Sequence, residues 1–399
     1  MKHLIIFLIA IVMLGSCSET SEKSLVSEIK DSVDSLQEKY VPDTRVALWH
    51  VSVEHQQNGN IVVRGAVESK QAKTALLQLK NRFPGAHFKI ALLPEKPWKN
   101  KIALINNSVS SIRRKTTRAS EMLNQALLGT PLKVLRKKGE WYLIQTPDHY
   151  LGWINQADIV LFTQKDLQHY ENHPKMVYNR QYGFSYSQPD IHSQVVSDLA
   201  VGCILPVIAV KGTFYQVKYP DGRKAFVKKE ETVQFDRFIH RKPTPENLVK
   251  TALKFNGIPY LWGGRSSKAI DCSGFTSLVY YLNGILLQRD ASQQTRYGKE
   301  ITTHFDDENL QPGDLLFFGR KASGSQPEKV THVALYIGGG RFIHSSGKVR
   351  ISSMHPDSPL YAGAYASRFV RAVRMIGQVN GTTIQQLAGN SFFQMLKTK

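Results

Sequence analysis

Hydrophobic and polar positions follow two different periods along the first hundred residues. Apolar side chains at Leu25, Ile29, Val33 and Leu36 recur at helical spacing and predict a helix over residues 24–39. Two alternating stretches, 45–55 and 59–67, meet at Asn58-Gly59, a pattern that predicts a β-hairpin. A helix over 69–82 and a strand over 86–93 complete the set. This α-β-β-α-β order indicates a small α/β domain without a catalytic motif.

An internal repeat occupies residues 108–235. Residues 132–154 align without a gap on residues 205–227, a shift of 73 (205 − 132). Short alternating strands separated by Gly and Pro-Asp turns predict small all-β barrels, and two copies predict two tandem barrels. The copies differ at one informative position, because Tyr150 of the first stands where the second has Arg223. The second copy is also compatible with a spacer role.

A further domain begins near Thr244-Pro245-Glu246, which has the cap and first-turn proline of a helix start. It runs to about Ile376 and is followed by a tail that ends in a possible short helix. The predicted organisation is a signal peptide (1–17), a tether and small α/β domain (18–107), a first barrel (108–164), a second barrel (165–240), a C-terminal domain (241–376) and the tail (377–399).

The chain begins like an exported protein. Lys2 and His3 precede an uninterrupted apolar run from Leu4 to Leu14, which is too short to span a bilayer and is typical of a signal peptide. Leu14-Gly15-Ser16-Cys17 resembles a bacterial lipobox, in which the cysteine is lipidated. We therefore expect a lipid-anchored protein of the bacterial cell envelope, with residues 18–24 as a tether. The alternative is an ordinary secretory signal.

Cysteine usage and charge exclude some classes of function. The three cysteines, Cys17, Cys203 and Cys272, form no C-x-x-C pair or zinc-like cluster, so we expect no metal site. Cys203 lies in an apolar strand-like run and is expected to be buried, and a disulfide between two separate domains is not expected. The net charge of +20 comes without a nucleic-acid motif. A positive charge of this size therefore indicates attraction to anionic envelope polymers or lipid surfaces rather than to nucleic acid.

Cys272 stands at a predicted helix start. With Asp271 as the cap, the apolar residues Phe275, Leu278, Val279 and Leu282 follow at helical spacing. Unpaired N–H groups in a first helical turn favour a thiolate and can donate to an oxyanion. These observations leave two interpretations of Cys272, a packed core thiol or a nucleophile.

Two histidines supply a candidate base. His332 begins an alternating strand, Gly338-Gly339-Gly340 predicts a turn, and His344 lies on the returning strand. The two histidines are twelve positions apart (344 − 332), and equal parity places both rings on one face of an even-register hairpin. His332 would then meet the thiol while His344 orients it. Taken alone, each histidine is better explained by a structural role, and the helix-starting cysteine reverses this preference in favour of the catalytic one.

Four stretches together resemble the NlpC-type cell-wall cysteine peptidases. They are YLWGGRSSKAIDCSGF (260–275), LQRDASQQ (287–294), LQPGDLLFF (310–318) and THVALYIGGGRFIHSSG (331–347). With GEWYLIQTPDHYLGWI of the first repeat, which is similar to a bacterial SH3 domain, the resemblance covers about residues 110–376. It is closest to the γ-D-glutamyl-L-diamino-acid endopeptidases called dipeptidyl-peptidase VI. It implies two SH3-like barrels and a C-terminal papain-like α+β catalytic domain.

The resemblance also implies roles for individual residues. Cys272 is the nucleophile, His332 the base and then the acid, and His344 the residue that orients His332. Tyr260 would help hold the oxyanion, with a core tyrosine as the alternative. The residues expected to line the peptide pocket are Tyr150, Asp271, Ser273, Asp290 and Ser292. Thr130 departs from the pattern, since many relatives have an acidic residue there.

The implied reaction is hydrolysis of the bond between γ-D-glutamate and lysine or diaminopimelate in peptidoglycan stem peptides. If the first barrel closes the pocket, the site would favour peptides with a free N-terminal L-Ala. Such peptides are those already released from the wall, so the implied role is recycling or scavenging. We expect no metal or organic cofactor, a monomer, and no partners besides stem peptides and the membrane. The alternatives are a wall-lytic endopeptidase acting on intact peptidoglycan, a catalytically silent wall-binding protein, and an amidase or acyltransferase acting on lipids or other amides.

Overall fold

The computed structural model describes residues 24–56, 59–98, 101–305 and 308–397. The chain divides into two compact units, residues 1–99 and 100–399. Within the described ranges, no helix combines the length and the apolar character needed to cross a bilayer. The predicted lipidation site, Cys17, lies outside the described residues.

The N-terminal unit consists of helices on a three-stranded sheet. Helix α1 covers 24–40, and the other elements are β1 (Trp49–His55), β2 (Ile61–Val67), α2 (Lys70–Gln78) and β3 (Ala86–Leu92). β1 pairs antiparallel with β2, and β3 pairs parallel with β2 after the crossover through α2. Ile29 and Val33 of α1 are buried with Leu76 and Phe88, so the middle of the predicted apolar face lines the core, whereas Leu25 at its start is exposed.

The first repeat forms a seven-stranded sheet. Its strands are β4 (Ile102–Ile105), β5 (Val109–Arg113), β6 (Met122–Leu127), β7 (Pro131–Lys138), β8 (Trp141–Gln145), β9 (Leu151–Asn155) and β10 (Ile159–Phe162). They are hydrogen-bonded in the order β10-β4-β7-β8-β9-β5-β6. β4 pairs with β7, so this sheet begins before residue 108, where the sequence suggested the boundary. Helix α3 (Gln164–Glu171) follows.

The second repeat forms a sheet of equivalent topology. Its strands are β11 (Lys175–Tyr178), β12 (Tyr182–Tyr186), β13 (Val195–Ala200), β14 (Ile204–Lys211), β15 (Phe214–Lys218), β16 (Lys224–Lys228) and β17 (Thr232–Gln234). Their order, β17-β11-β14-β15-β16-β12-β13, repeats that of the first sheet strand for strand. Gly139 and Gly212 occupy equivalent hairpin turns and both have φ of 57°. Helix α4 (Phe235–Ile239) follows.

The C-terminal domain packs helices on a six-stranded antiparallel sheet. Its helices are α5 (Pro245–Leu253), α6 (Cys272–Tyr281), α7 (Ala291–Gln294) and α8 (Gly363–Ala366). The sheet contains β19 (Lys299–Thr302), β20 (Leu315–Arg320), β21 (Lys329–Gly338), β22 (Arg341–Ser346), β23 (Lys348–Ser353) and β24 (Phe369–Arg374), in the order β19-β24-β20-β21-β22-β23. Every residue of α6 after Cys272 is buried, and not only its apolar face.

The tail is part of the core of this unit. β18 (Ile285–Leu287), which follows α6, pairs antiparallel with β25 (Ile384–Gln386) of the tail. The short helix α9 (Ser391–Gln394) buries Phe393. Asn390 Nδ2 donates to Pro147 O of the first repeat at 3.0 Å. The tail therefore connects the C-terminal domain to the first repeat sheet, a role that its sequence did not indicate.

Candidate active site

Cys272 is the first residue of α6 and is partly buried. Asp271 caps the helix, since its Oδ1 accepts the Gly274 N–H at 2.7 Å. The Val333 N–H is hydrogen-bonded to the Cys272 thiol. Because Val333 follows His332 on β21, this contact places the thiol beside the strand that carries the candidate base.

The two histidines are in direct contact. His332 Nε2 lies 2.8 Å from His344 Nδ1, and His344 Nε2 lies 3.1 Å from Ser352 Oγ. The hairpin pairs Leu335 with Ile343, an even register that keeps both rings on one face. One consistent proton arrangement has His332 Nε2–H donate to His344, which in turn donates to Ser352. It leaves His332 Nδ1 with its lone pair available to accept the thiol proton.

Tyr365 encloses the histidine pair. Its ring centroid lies 4.8 Å from that of His332 and 4.8 Å from that of His344. Its hydroxyl donates to Ser346 Oγ at 2.9 Å. The ring therefore restricts the orientation of both imidazoles and excludes water from one side of them.

Burial decides the charge state of this site. It raises the pKa of the Cys272 thiol to about 12, and the neighbouring Asp271 carboxylate adds to the rise. Burial lowers the pKa of His332 to about 4, with Arg368 as a further cause, and that of His344 to about 3. Burial thus favours the neutral forms of both the thiol and the imidazole. Desolvation and Asp271 oppose the thiolate that the first-turn N–H groups favour.

Asp271 is held by a buried arginine. Arg289 is 1% exposed and contacts both carboxylate oxygens of Asp271, at 3.1 and 2.6 Å. It also donates to Ser273 Oγ at 3.0 Å and to Asn124 Oδ1 of the first repeat at 2.9 Å. Asp271 Oδ2 additionally accepts the Gly263 N–H at 2.9 Å. Asp271 and Ser273 are therefore occupied by structural contacts.

Tyr150 and Asp290 meet across the contact between the first repeat and the C-terminal domain. The Tyr150 hydroxyl donates to Asp290 Oδ2 at 3.1 Å. The turn before Tyr150 is anchored nearby, because Asp148 forms an ion pair with Arg265 at 2.7 Å. These contacts hold Tyr150, which is 4% exposed, against the stretch that the sequence predicted to line the pocket.

The remaining predicted residues have varied environments. Tyr260 is half-buried, and burial together with the nearby Cys272 raises its pKa to about 12. Ser292 is half-buried in α7. Thr130 borders a small cavity of about 40 Å³ shared with Asp148. Cys203 is fully buried, as predicted, and its thiol donates to Ser108 O at 3.3 Å. Among the described residues, no cluster of His, Cys, Asp and Glu side chains has the arrangement of a metal site.

Comparison with known proteins fits this geometry. Residues 257–373 match the NlpC/P60 family, and residues 112–159 match the bacterial dipeptidyl-peptidase SH3 domain. A γ-D-glutamyl-L-lysine dipeptidyl-peptidase of Bacillus cereus is 33% identical over 262 residues, which cover 63% of this chain and 75% of that relative. The chain belongs to the NlpC/P60 family.

Two further relatives agree with this assignment. Dipeptidyl-peptidase 6 of Lysinibacillus sphaericus is 30% identical over 61% of this chain and 88% of its own length. A solved NlpC/P60 family protein from Bacillus cereus superposes with a TM-score of 0.57 at 25% identity, covering 69% of this chain and 99% of that one. The predicted resemblance to NlpC-type peptidases with a bacterial SH3 domain is confirmed.

Three residues of this NlpC/P60 site were missed from the sequence. Arg289 lies within the quoted stretch LQRDASQQ, so its proximity to Asp290 was a usable signal. Ser352 has the same parity as His344 on the neighbouring strand. Tyr365 belongs to no motif, and only the packing of α8 against the sheet brings it to the histidines.

Proposed function

We propose that the protein is a cysteine endopeptidase that hydrolyses the bond between γ-D-glutamate and lysine or diaminopimelate in peptidoglycan stem peptides. Family membership and the two peptidase relatives support the enzyme class, a peptidoglycan-peptide peptidase. The observation that carries the finer proposal is the Tyr150–Asp290 hydrogen bond. It brings the first repeat against the stretch that follows the nucleophile helix.

In this reaction His332 Nδ1 takes the thiol proton as Cys272 Sγ attacks the γ-glutamyl carbonyl. The first-turn N–H groups of α6 and the Tyr260 hydroxyl would stabilise the oxyanion. His332 then protonates the leaving amine as the C–N bond breaks. It next deprotonates a water molecule that attacks the thioester, which releases the γ-glutamyl product and restores the thiol. His344 keeps the His332 ring oriented throughout.

The free amine of an N-terminal L-Ala would be bound by Asp290 and Tyr150, with Ser292 close by. Asp271, also predicted for the pocket, is less suited to this role because Arg289 neutralises it. N-acylation of the substrate removes the ammonium and adds bulk where Tyr150 closes the pocket. Loss of a charged hydrogen bond to a desolvated acceptor costs a few kcal/mol, so we expect discrimination of roughly 100-fold. The physiological role would be recycling or scavenging of released peptides.

We also propose that both repeat sheets are bacterial SH3 modules. A separate proposal is that Cys17 is lipidated and anchors the protein in the cell envelope. Wild-type protein should fractionate with membranes, whereas Cys17→Ala should leave that fraction or accumulate unprocessed. Wild-type protein that is unlipidated and cleaved at another site would refute the anchor.

The activity test compares three substrates: L-Ala-γ-D-Glu-L-Lys, its N-acetylated form and intact peptidoglycan. We expect turnover of the free tripeptide, lost in Cys272→Ala and retained in Cys203→Ala, the matched control at a buried free thiol. Tyr150→Phe should reduce the preference for the free amine more than Arg223→Ala at the equivalent position of the second repeat.

The outcomes separate the alternatives. Equal rates on all three substrates would rule out the closed pocket and favour a wall-lytic enzyme. Absence of turnover in the wild type would indicate a silent wall-binding protein. Turnover that persists in Cys272→Ala would refute the nucleophile assignment.

A further inference from the structure

A large cleft lies away from the candidate active site, where the second repeat adjoins helix α5. Its volume is about 830 Å³. Five cationic side chains line it, namely Arg180, Arg241, Lys242, Lys250 and Lys254, and no described Asp or Glu side chain does. None of the residues assigned to catalysis or to the peptide pocket belongs to this lining.

Helix α5 presents one polar face to the cleft. Asn247, Lys250, Thr251 and Lys254 are spaced three and four positions apart and line it together. On the opposite face, Leu248 and Ala252 are fully buried in the core. Asn283 Nδ2 donates to Thr251 Oγ1 at 3.0 Å and ties this face to the turn after α6. The lysines therefore project from a rigid support.

The cations of the cleft have no acidic partner among the described residues. Glu246 lies one turn before Lys250, but its carboxylate hydrogen-bonds to Thr244 instead. Arg241 is half-buried, donates to Leu282 O at 2.7 Å and lies over the Phe238 ring at 5.1 Å. Burial lowers the pKa of Arg241. A partly desolvated guanidinium without a counter-charge is costly, and a bound anion would offset that cost.

We propose that this cleft binds a polyanion, a flexible chain that carries phosphate or carboxylate groups at intervals. A volume of about 830 Å³ accommodates a chain segment with several oxyanions, and a flexible chain can follow a concave surface that a flat bilayer cannot enter. Part of the net charge of +20 would thus serve a defined site. This site is independent of the proposed peptidase activity and would hold the enzyme near anionic polymers of the envelope.

The test compares two variants that each lose three charges. The cleft variant is Lys242→Gln/Lys250→Gln/Lys254→Gln. The control variant is Lys211→Gln/Lys224→Gln/Lys299→Gln, whose lysines are exposed and lie outside the cleft. Binding of inorganic polyphosphate and of poly-α-glutamate is measured by titration calorimetry at low and moderate salt. Vesicles containing phosphatidylglycerol form a third arm, and turnover of the free tripeptide checks that both variants fold.

We expect the wild type to bind at least one soluble polyanion, more weakly as salt rises. The cleft variant should lose about tenfold or more in affinity and the control variant less than about threefold, because both have the same net charge and only one loses the site. The polyphosphate and poly-α-glutamate arms show which oxyanion is preferred. Equal weakening in both variants, binding to vesicles alone, or no binding by the wild type would overturn the proposal.

Discussion

Removal of the Arg289 side chain tests directly how much the buried ion pair with Asp271 stabilises the fold. The residue is 1% exposed, and its guanidinium donates hydrogen bonds to Asp271, Ser273 and Asn124. Arg289→Met keeps much of the volume but leaves the carboxylate of Asp271, whose side chain is 8% exposed, without its counter-charge. Removal of one partner from a buried ion pair costs about 3–5 kcal/mol. We expect the free energy of unfolding to fall by that amount.

Arg371 provides the matched control. It also bonds two carboxylates, Glu300 and Glu328, but its side chain is 27% exposed. Exposed ion pairs contribute about 0–1 kcal/mol each, so Arg371→Met should cost much less than Arg289→Met. Urea unfolding followed by tryptophan fluorescence and by residual peptidase activity measures both variants.

A double variant separates charge from packing. Asp271→Asn removes the buried charge, and an asparagine can still cap α6. Arg289→Met/Asp271→Asn should therefore be more stable than the sum of the two single losses predicts, with a coupling of about 1–3 kcal/mol. The reasoning fails if Arg289→Met costs no more than Arg371→Met, or if the double variant shows simple additivity.

Three further predictions concern the histidines and the turn before Tyr150. His344→Asn should retain about tenfold more activity than His344→Ala, because an amide can still hydrogen-bond to His332; equal rates would remove the orienting role. Protonation of His332 abolishes its function as a base and its pKa is lowered to about 4, so the acid limb of kcat/KM should lie well below pH 6.5. Arg368→Gln should move that limb upward, since Arg368 contributes to the lowered pKa, and an unmoved limb near pH 6.5 would contradict the assignment. His149 has φ of 64°, where the second repeat has Gly222, so His149→Val should lose about 1–2 kcal/mol of stability and His149→Gly less than about 1 kcal/mol. Comparable thermal stabilities of these two variants would show that the turn is not strained.

Features that depend on neighbouring residues, or on a repeat within the chain, were predictable from the sequence. The Asp271 cap and the start of α6 follow from local residue types, and the structure has the cap hydrogen bond at 2.7 Å. Equal parity placed His332 and His344 on one face, and the rings are in contact. The shift of 73 residues indicated a repeated all-β module, and the two repeats form sheets with the same strand order. Each of these depends on neighbouring residues or on a repeat, which a single sequence displays directly.

Features that depend on long-range packing were not predictable. Tyr150 and Asp290 are 140 residues apart, and no local pattern joins them; their shared pocket was expected from the family resemblance alone, and the docking of the first repeat on the C-terminal domain brings them into contact. The sequence indicated one apolar face of α6, whereas packing buries the whole helix beyond Cys272. The tail had no assigned role, yet it supplies β25 and packs Phe393 into the core.

The sequence by itself determined the chemical groups of the site, namely a cysteine at a helix start and two histidines of equal parity, because helix capping and strand alternation are local. The tertiary structure alone decided how their pKa values shift. Desolvation and the burial of Arg289 against Asp271 depend on every element packed around α6. The helix start by itself favours a thiolate, whereas burial in the fold raises the pKa of Cys272 and lowers that of His332.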